Sequence, residues 1–151
     1  MAAEKRRFKT PLMFVLVLLF VVFYPMLISI HVFFPLLIGY AGYILVQGIS
    51  KNDYLYIFFA SFYLLNLDFN LSLPITLSII ASLLVYIFIY TSKEIFLNCK
   101  LCQIIFNIVT IDFVYILLIN IYDFIFETKS IDMDLLLLYS LLIDIIVAVV
   151  A

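Results

Sequence analysis

Charge is what this sequence has least of. Asp, Glu, Lys and Arg together supply 12% of 151 residues, while 68% are hydrophobic and the mean hydropathy is +1.32. Soluble domains carry roughly a quarter charged residues, so this balance predicts an integral membrane protein. The net charge is −2, with no sustained basic stretch beyond the first nine residues, which argues against nucleic-acid binding. Hydrolase serine motifs, phosphate loops, H-E-x-x-H and dinucleotide fingerprints are all missing, and the loops are too sparse to gather the acids and bases of a lipid-phosphate enzyme. No enzyme and no cofactor is expected. The only two cysteines, Cys99 and Cys102, form C-x-x-C, but a zinc site would need further ligands. A reduced, apolar pair is the expectation. Tryptophan is absent, so 16 Phe and 11 Tyr provide the lipid-facing bulk and interfacial anchors. The single histidine, His31, reads as a turn residue at a span end.

The N-terminus, MAAEKRRFKT followed by PLMFVLVLLFVVFYPMLISI, has the order of a signal peptide. Its apolar part is too long for one and lacks a small-residue cleavage site, so an uncleaved first helix is expected. From Leu12 to Ile49 the chain stays apolar, and a single helix of that length would run to roughly 57 Å. It must turn back. SIHVFFP holds the polar Ser29 and His31, and Pro35 suits the first turn of a new helix. Pro25 should kink the first helix near its outer end. Polar segments GISKND, DFNLSLP, SKEIFLNCK and DFIFETKSIDMD mark the later boundaries.

The result is one transmembrane domain over 1–151, an all-α six-helix bundle with spans near 12–30, 33–49, 54–67, 71–91, 101–122 and 135–151. With the N-terminus inside, Lys5, Arg6, Arg7, Lys9, Lys51, Lys93 and Lys100 all fall on the cytoplasmic side and only Lys129 outside. Merging the first two spans would send Lys51, Lys93 and Lys100 outside, so the positive-inside rule favours six spans with both termini cytoplasmic.

Within such a bundle an acid is costly, about 2.5–3.5 kcal/mol at a span centre, and implies a partner. Asp112 lies midway along the fifth span and Asp144 midway along the sixth, in SLLIDIIVAVV. These antiparallel neighbours could meet and share a proton. Ser140 stands one turn before Asp144, and Asn107, Thr110 and Asn120 offer further hydrogen-bonding groups on the fifth span. A proton relay would need more acids or a basic companion than these spans hold, so the expected role is interhelical contact or docking of a partner. Gly39, Ala41, Gly42, Ala60, Ser61, Ser78 and Ser82 would let helix backbones approach closely.

The basic N-terminus, the proline in FFPLLIGYAGYILVQG and the run YIFFASFYLLNLDFNLSLPITLSIIASLLVYI resemble the rod-shape-determining MreD family. In that family a third span ends in an aspartate before a serine-containing turn, positions held here by Asp68 and NLSLP, and later spans carry aspartates as in TIDFVYILL and LLIDIIVAVV. The glycines usual before the third-span aspartate are replaced by FFASFYLLN, and a basic tail after the last span is missing. The resemblance implies a non-enzymatic, multi-pass subunit of the bacterial inner membrane. It would act as a scaffold in cell elongation and peptidoglycan synthesis, beside an MreC-like periplasmic protein, MreB, and a peptidoglycan polymerase with its transpeptidase. Asp68, Asn107, Asp112, Ser140 and Asp144 would serve interhelical or partner contacts. The family's fold is similar to the substrate-binding subunit of energy-coupling-factor transporters, which gives the alternative of a small-molecule transport subunit. That alternative needs an outward pocket, for which only Asn66, Asp68 and Asn120 offer polar groups.

Overall fold

The computed structural model describes residues 11–31, 33–91, 99–127 and 134–150. The chain forms six helices: α1 Pro11–Ile30, α2 Ile38–Lys51, α3 Tyr54–Asn70, α4 Leu77–Thr91, α5 Lys100–Phe126 and α6 Asp134–Val150. No strand occurs among the described residues. Two helices, Pro11–Ile30 and Lys100–Phe126, are long and apolar enough to cross a membrane. Of the basic residues used to orient the chain, Lys5, Arg6, Arg7, Lys9, Lys93 and Lys129 lie outside the described residues.

Among the helix boundaries that differ from the sequence reading, three have a local reason. Helix α2 starts at Ile38, not near residue 33, so Pro35 precedes the helix instead of opening it. Proline disfavours the helical region for the residue before it, and the chain stays irregular until Leu37, whose φ of 54° is left-handed. Helix α4 starts at Leu77 rather than near residue 71, because Ser72 and Thr76 take positive φ on either side of Pro74. Helix α5 runs four residues past the expected end and stops at a left-handed Glu127.

Helix α2 is the centre of the bundle. It touches α3, α4, α5 and α6, whereas α1 packs on α3 alone. Two glycines make that centre possible. A Cβ on Gly39 would fall 2.6 Å from Asp112 Oδ2 and 2.8 Å from Ile108 Cγ2, and one on Gly42 would fall 2.7 Å from Ser82 Oγ. The backbone of α2 therefore lies directly on α5 and α4, the close approach that small residues permit. Leu36, Ile38, Leu45, Leu64, Leu67 and Tyr115 fill the core around it.

Pro25 lies inside α1 without ending it. A proline has no N–H, so the carbonyl four residues earlier loses its helical donor. That carbonyl belongs to Val21, and Asn66 of α3 supplies the missing bond: its Nδ2 donates to Val21 O at 3.2 Å and to Val22 O at 3.1 Å. The proline and the asparagine thus fasten α1 to its one helix neighbour.

Candidate functional site

The first turn of a helix leaves backbone N–H groups without intrahelical acceptors. In α2 that turn is buried and Leu37, its N-cap, makes no side-chain cap bond. Helix α6 caps it from across the bundle. Asp144 Oδ2 accepts from Gly39 N at 3.0 Å, and Ser140 Oγ accepts from Leu36 N at 3.2 Å. Ser140 and Asp144 are one turn apart, so both oxygens project from one face of α6 onto the same helix end. The carbonyls of the preceding linker are met by tyrosines: Tyr63 Oη donates to Leu36 O and Tyr24 Oη to Pro35 O, each at 2.9 Å. Four side chains from three helices therefore replace the water that an irregular backbone would otherwise need.

Asp112 closes this arrangement from α5. Its carboxyl lies over Gly39, in the space a Cβ would occupy, and within hydrogen-bonding reach of Asp144. Among the described residues, Asp112 Oδ2 and Asp144 Oδ1 are the buried carboxyl oxygens without a hydrogen-bond partner. One proton held between the two groups matches that pattern. Asp144 was expected to meet Asp112 or Asn107 on α5; it lies beside Asp112 and, in addition, accepts from the backbone of α2 at Gly39.

Asp68 builds a second cap. At the end of α3 its Oδ2 accepts from Ser78 N at 3.2 Å and from Ser78 Oγ at 2.7 Å, in the first turn of α4. Tyr115 Oη reaches its other oxygen from α5 at 3.4 Å. Ser82 donates to Ser78 O one turn further on. Asp68, Ser78 and Ser82 are all fully buried.

The five residues singled out in the sequence thus separate into three places. Ser140, Asp144 and Asp112 meet at the start of α2, Asp68 stands at the start of α4, and Asn107 joins neither. Asn107 lines a cleft of about 430 Å³ between α2, α4 and α5, at the end where α2 finishes and α5 begins. Thr110 donates to Phe106 O within its own helix, and Asn120 is exposed. Tyr24, Tyr63, Tyr115 and Gly39 were not read as members of the carboxyl sites. A signal existed in Tyr63 and Tyr115, which sit within apolar runs where an anchor at a membrane interface would have no reason to be.

The cysteine expectation is corrected. Cys99 and Cys102 form a disulfide, with Cα atoms 5.3 Å apart. A spacing of three at a helix start puts both side chains on one side of the first turn, within bridging distance. Cys99 is also the N-cap of α5, its sulfur accepting from Cys102 N.

No family model, curated protein or solved structure matches the chain.

Proposed function

We propose that the chain is a multi-pass membrane scaffold, a non-enzymatic subunit of the bacterial cell-elongation machinery that docks an MreC-like partner in the inner membrane. The observation that carries this reading is where the buried polar side chains spend their bonds. Asp144 and Ser140 close the start of α2, Asp68 closes the start of α4, and Asn66 mends the carbonyl freed by Pro25. Their chemistry goes into fixing helix positions. A subunit whose output is a shape needs that, and a catalyst or carrier would need polar groups turned toward a substrate.

The lengths of the helices fit a bundle in lipid. Helix α2 has 14 residues and rises about 21 Å, short of a hydrocarbon core of about 30 Å. Irregular backbone at membrane depth is tolerated where protein satisfies it, and the linker ahead of α2 is satisfied in that way. Leucines, valines and phenylalanines cover the outer faces, most densely on α1, from Leu12 to Ile30. The transport alternative gains little: Asn66 and Asp68 are committed to backbone and neighbouring side chains, and Asn120 stands apart from them.

MreB and a peptidoglycan polymerase with its transpeptidase would be the wider assembly, as the sequence resemblance implies. Depletion in a rod-shaped host should round the cells, and the purified protein should capture an MreC-like partner without turnover. Unchanged shape after full deletion, with no second copy present, would sink the reading. Topology is tested separately: in a background lacking Cys99 and Cys102, Lys51→Cys should label from the cytoplasm and Phe69→Cys from outside.

A further inference from the structure

Asn107 is 6% exposed, yet its Oδ1 has no hydrogen-bond partner among the described residues. A buried acceptor left empty costs on the order of 1–3 kcal/mol, so its position in a cleft points to something that fills it. The cleft, about 430 Å³, falls in the size range of ligand sites. Its two polar walls are rows at helical spacing: Lys100, Gln103 and Asn107 on α5 face Gln47 and Lys51 on α2. Exposure falls along the α5 row, from exposed Lys100 through half-buried Gln103 to buried Asn107. Charge therefore stands at the mouth and uncharged amides stand inside. The first turn of α5 adds the positive end of its dipole at the same mouth. Val46, Ile89 and Ile104 add an apolar stretch of wall, beside Tyr43, Ser50 and Tyr86.

We propose that this cleft binds a phosphate ester that carries a free hydroxyl. The phosphate lies between Lys51 and Lys100, where two ammonium groups and a helix start favour an anion. The hydroxyl donates to Asn107 Oδ1, an acceptor that no described residue serves. Lys100 and Asn107 are seven residues apart on one helix, about 10 Å of rise, a span that an inward-bent lysine and a glycerol-sized group cover together. The apolar wall suits an acyl chain beside the headgroup. The same chemistry is offered by a phosphatidylglycerol-type lipid and by a soluble glycerol phosphate.

The full chain, purified in detergent and stripped of lipid, is incubated with equimolar dioleoyl phosphatidylglycerol, phosphatidylmethanol, which is anionic but has no headgroup donor, and phosphatidylcholine, and retained lipid is counted by native mass spectrometry. Phosphatidylglycerol should exceed both others by about tenfold, the ratio expected from a single charge-assisted or otherwise unmade buried hydrogen bond. The double variant Lys51→Ala with Lys100→Ala should lose that retention. Asn107→Leu removes the empty acceptor without opening a gap and should fold normally, but should retain phosphatidylglycerol and phosphatidylmethanol equally. Calorimetry with sn-glycerol 3-phosphate separates the two sources: binding at comparable strength assigns the site to a soluble ester, and its absence assigns it to lipid. Equal retention of all three lipids without glycerol phosphate binding overturns the proposal. So does equal retention of the two anionic lipids by the unaltered chain, which would leave no role for the hydroxyl.

Discussion

A buried carboxylate closes the first turn of both α2 and α4, but the two carboxylates come from different distances along the chain. Asp68 caps α4 from 10 residues upstream, across a single turn. Asp144 caps α2 from 105 residues downstream, across the whole bundle. The chemistry is the same, an acidic oxygen accepting from first-turn N–H groups. The consequence differs. The local cap fixes the geometry of one hairpin, and it can form as soon as that hairpin does. The distant cap cannot form until α6 has docked, so it ties the central helix to the last one. A helix that touches four others is thereby held at its weakest end by the element that arrives last.

Removing the distant cap should have the largest effect. Asp144→Leu leaves Gly39 N without an acceptor and Asp112 without its companion. Loss of an N-cap together with a stranded buried polar group amounts to roughly 3 kcal/mol. Thermal unfolding in detergent should show it, and hydrogen exchange should rise in α2 and α6 together. Asp144→Asn keeps an oxygen for Gly39 and gains an N–H for Asp112, so its melting point should stay near that of the unaltered protein. A proton relay would make Asn as damaging as Leu in a functional assay, because neither side chain carries a proton. Matching loss of shape rescue by the two variants would therefore refute the structural reading of this site.

Asp68→Ala should be the next largest, about 2 kcal/mol, from the same kind of cap and the Ser78 hydroxyl it holds. Its footprint should be narrower. Exchange should rise at the α3–α4 turn and the first turn of α4, while α6 is unchanged. Equal loosening of α6 in both variants would erase the distinction between local and distant caps.

The contrast also explains how much could be read from the sequence. Six apolar runs and their polar joints gave six helices, because hydrophobic length and turn chemistry are local. Asp68 was marked through the family resemblance, although its place beside the turn it closes is a local feature too. Asp112 and Asp144 could be marked as costly residues in need of partners, but the donor at Gly39 could not be found. Nothing near Asp144 in the chain indicates that a helix 105 residues earlier begins beside it. The late start of α2 was hidden too, since Pro35 is equally suited to the first turn of a helix and to the irregular segment before one. Sequence spacing did carry one sign that was not used: Asn107 and Asp112, five residues apart on one helix, point about 140° away from each other.

Gly39→Ala tests the other face of the distant cap. The added methyl would meet Asp112 Oδ2 and Ile108 Cγ2 inside van der Waals contact, and overpacking of this kind costs about 1–3 kcal/mol. We expect a value near 1.5 kcal/mol within that range, because the Asp112 carboxyl can swing while the branched Ile108 cannot. Melting in detergent should fall accordingly. Pairing Gly39→Ala with Ile108→Val should recover part of the loss by freeing room on α5. No recovery would mean that the displaced carboxyl, not the aliphatic contact, carries the cost.

The smallest single effect belongs to Ser140→Ala, which removes only the acceptor for Leu36 N at 3.2 Å. Leu36 is 1% exposed, so water does not readily replace the lost bond. Interhelical hydrogen bonds in membrane proteins average about 0.6 kcal/mol, and a shift of that size should appear in the melting point. Tyr63→Phe provides the companion measurement, because it removes the donor to Leu36 O on the same residue. If the linker before α2 is held as a unit, the first substitution already lets Leu36 move, and the second then has less to destroy. The double variant should fall short of the sum of the two singles by about 0.5 kcal/mol, the lower end of coupling between groups in one network. Strict additivity in that cycle would show that the two bonds hold the linker independently of each other.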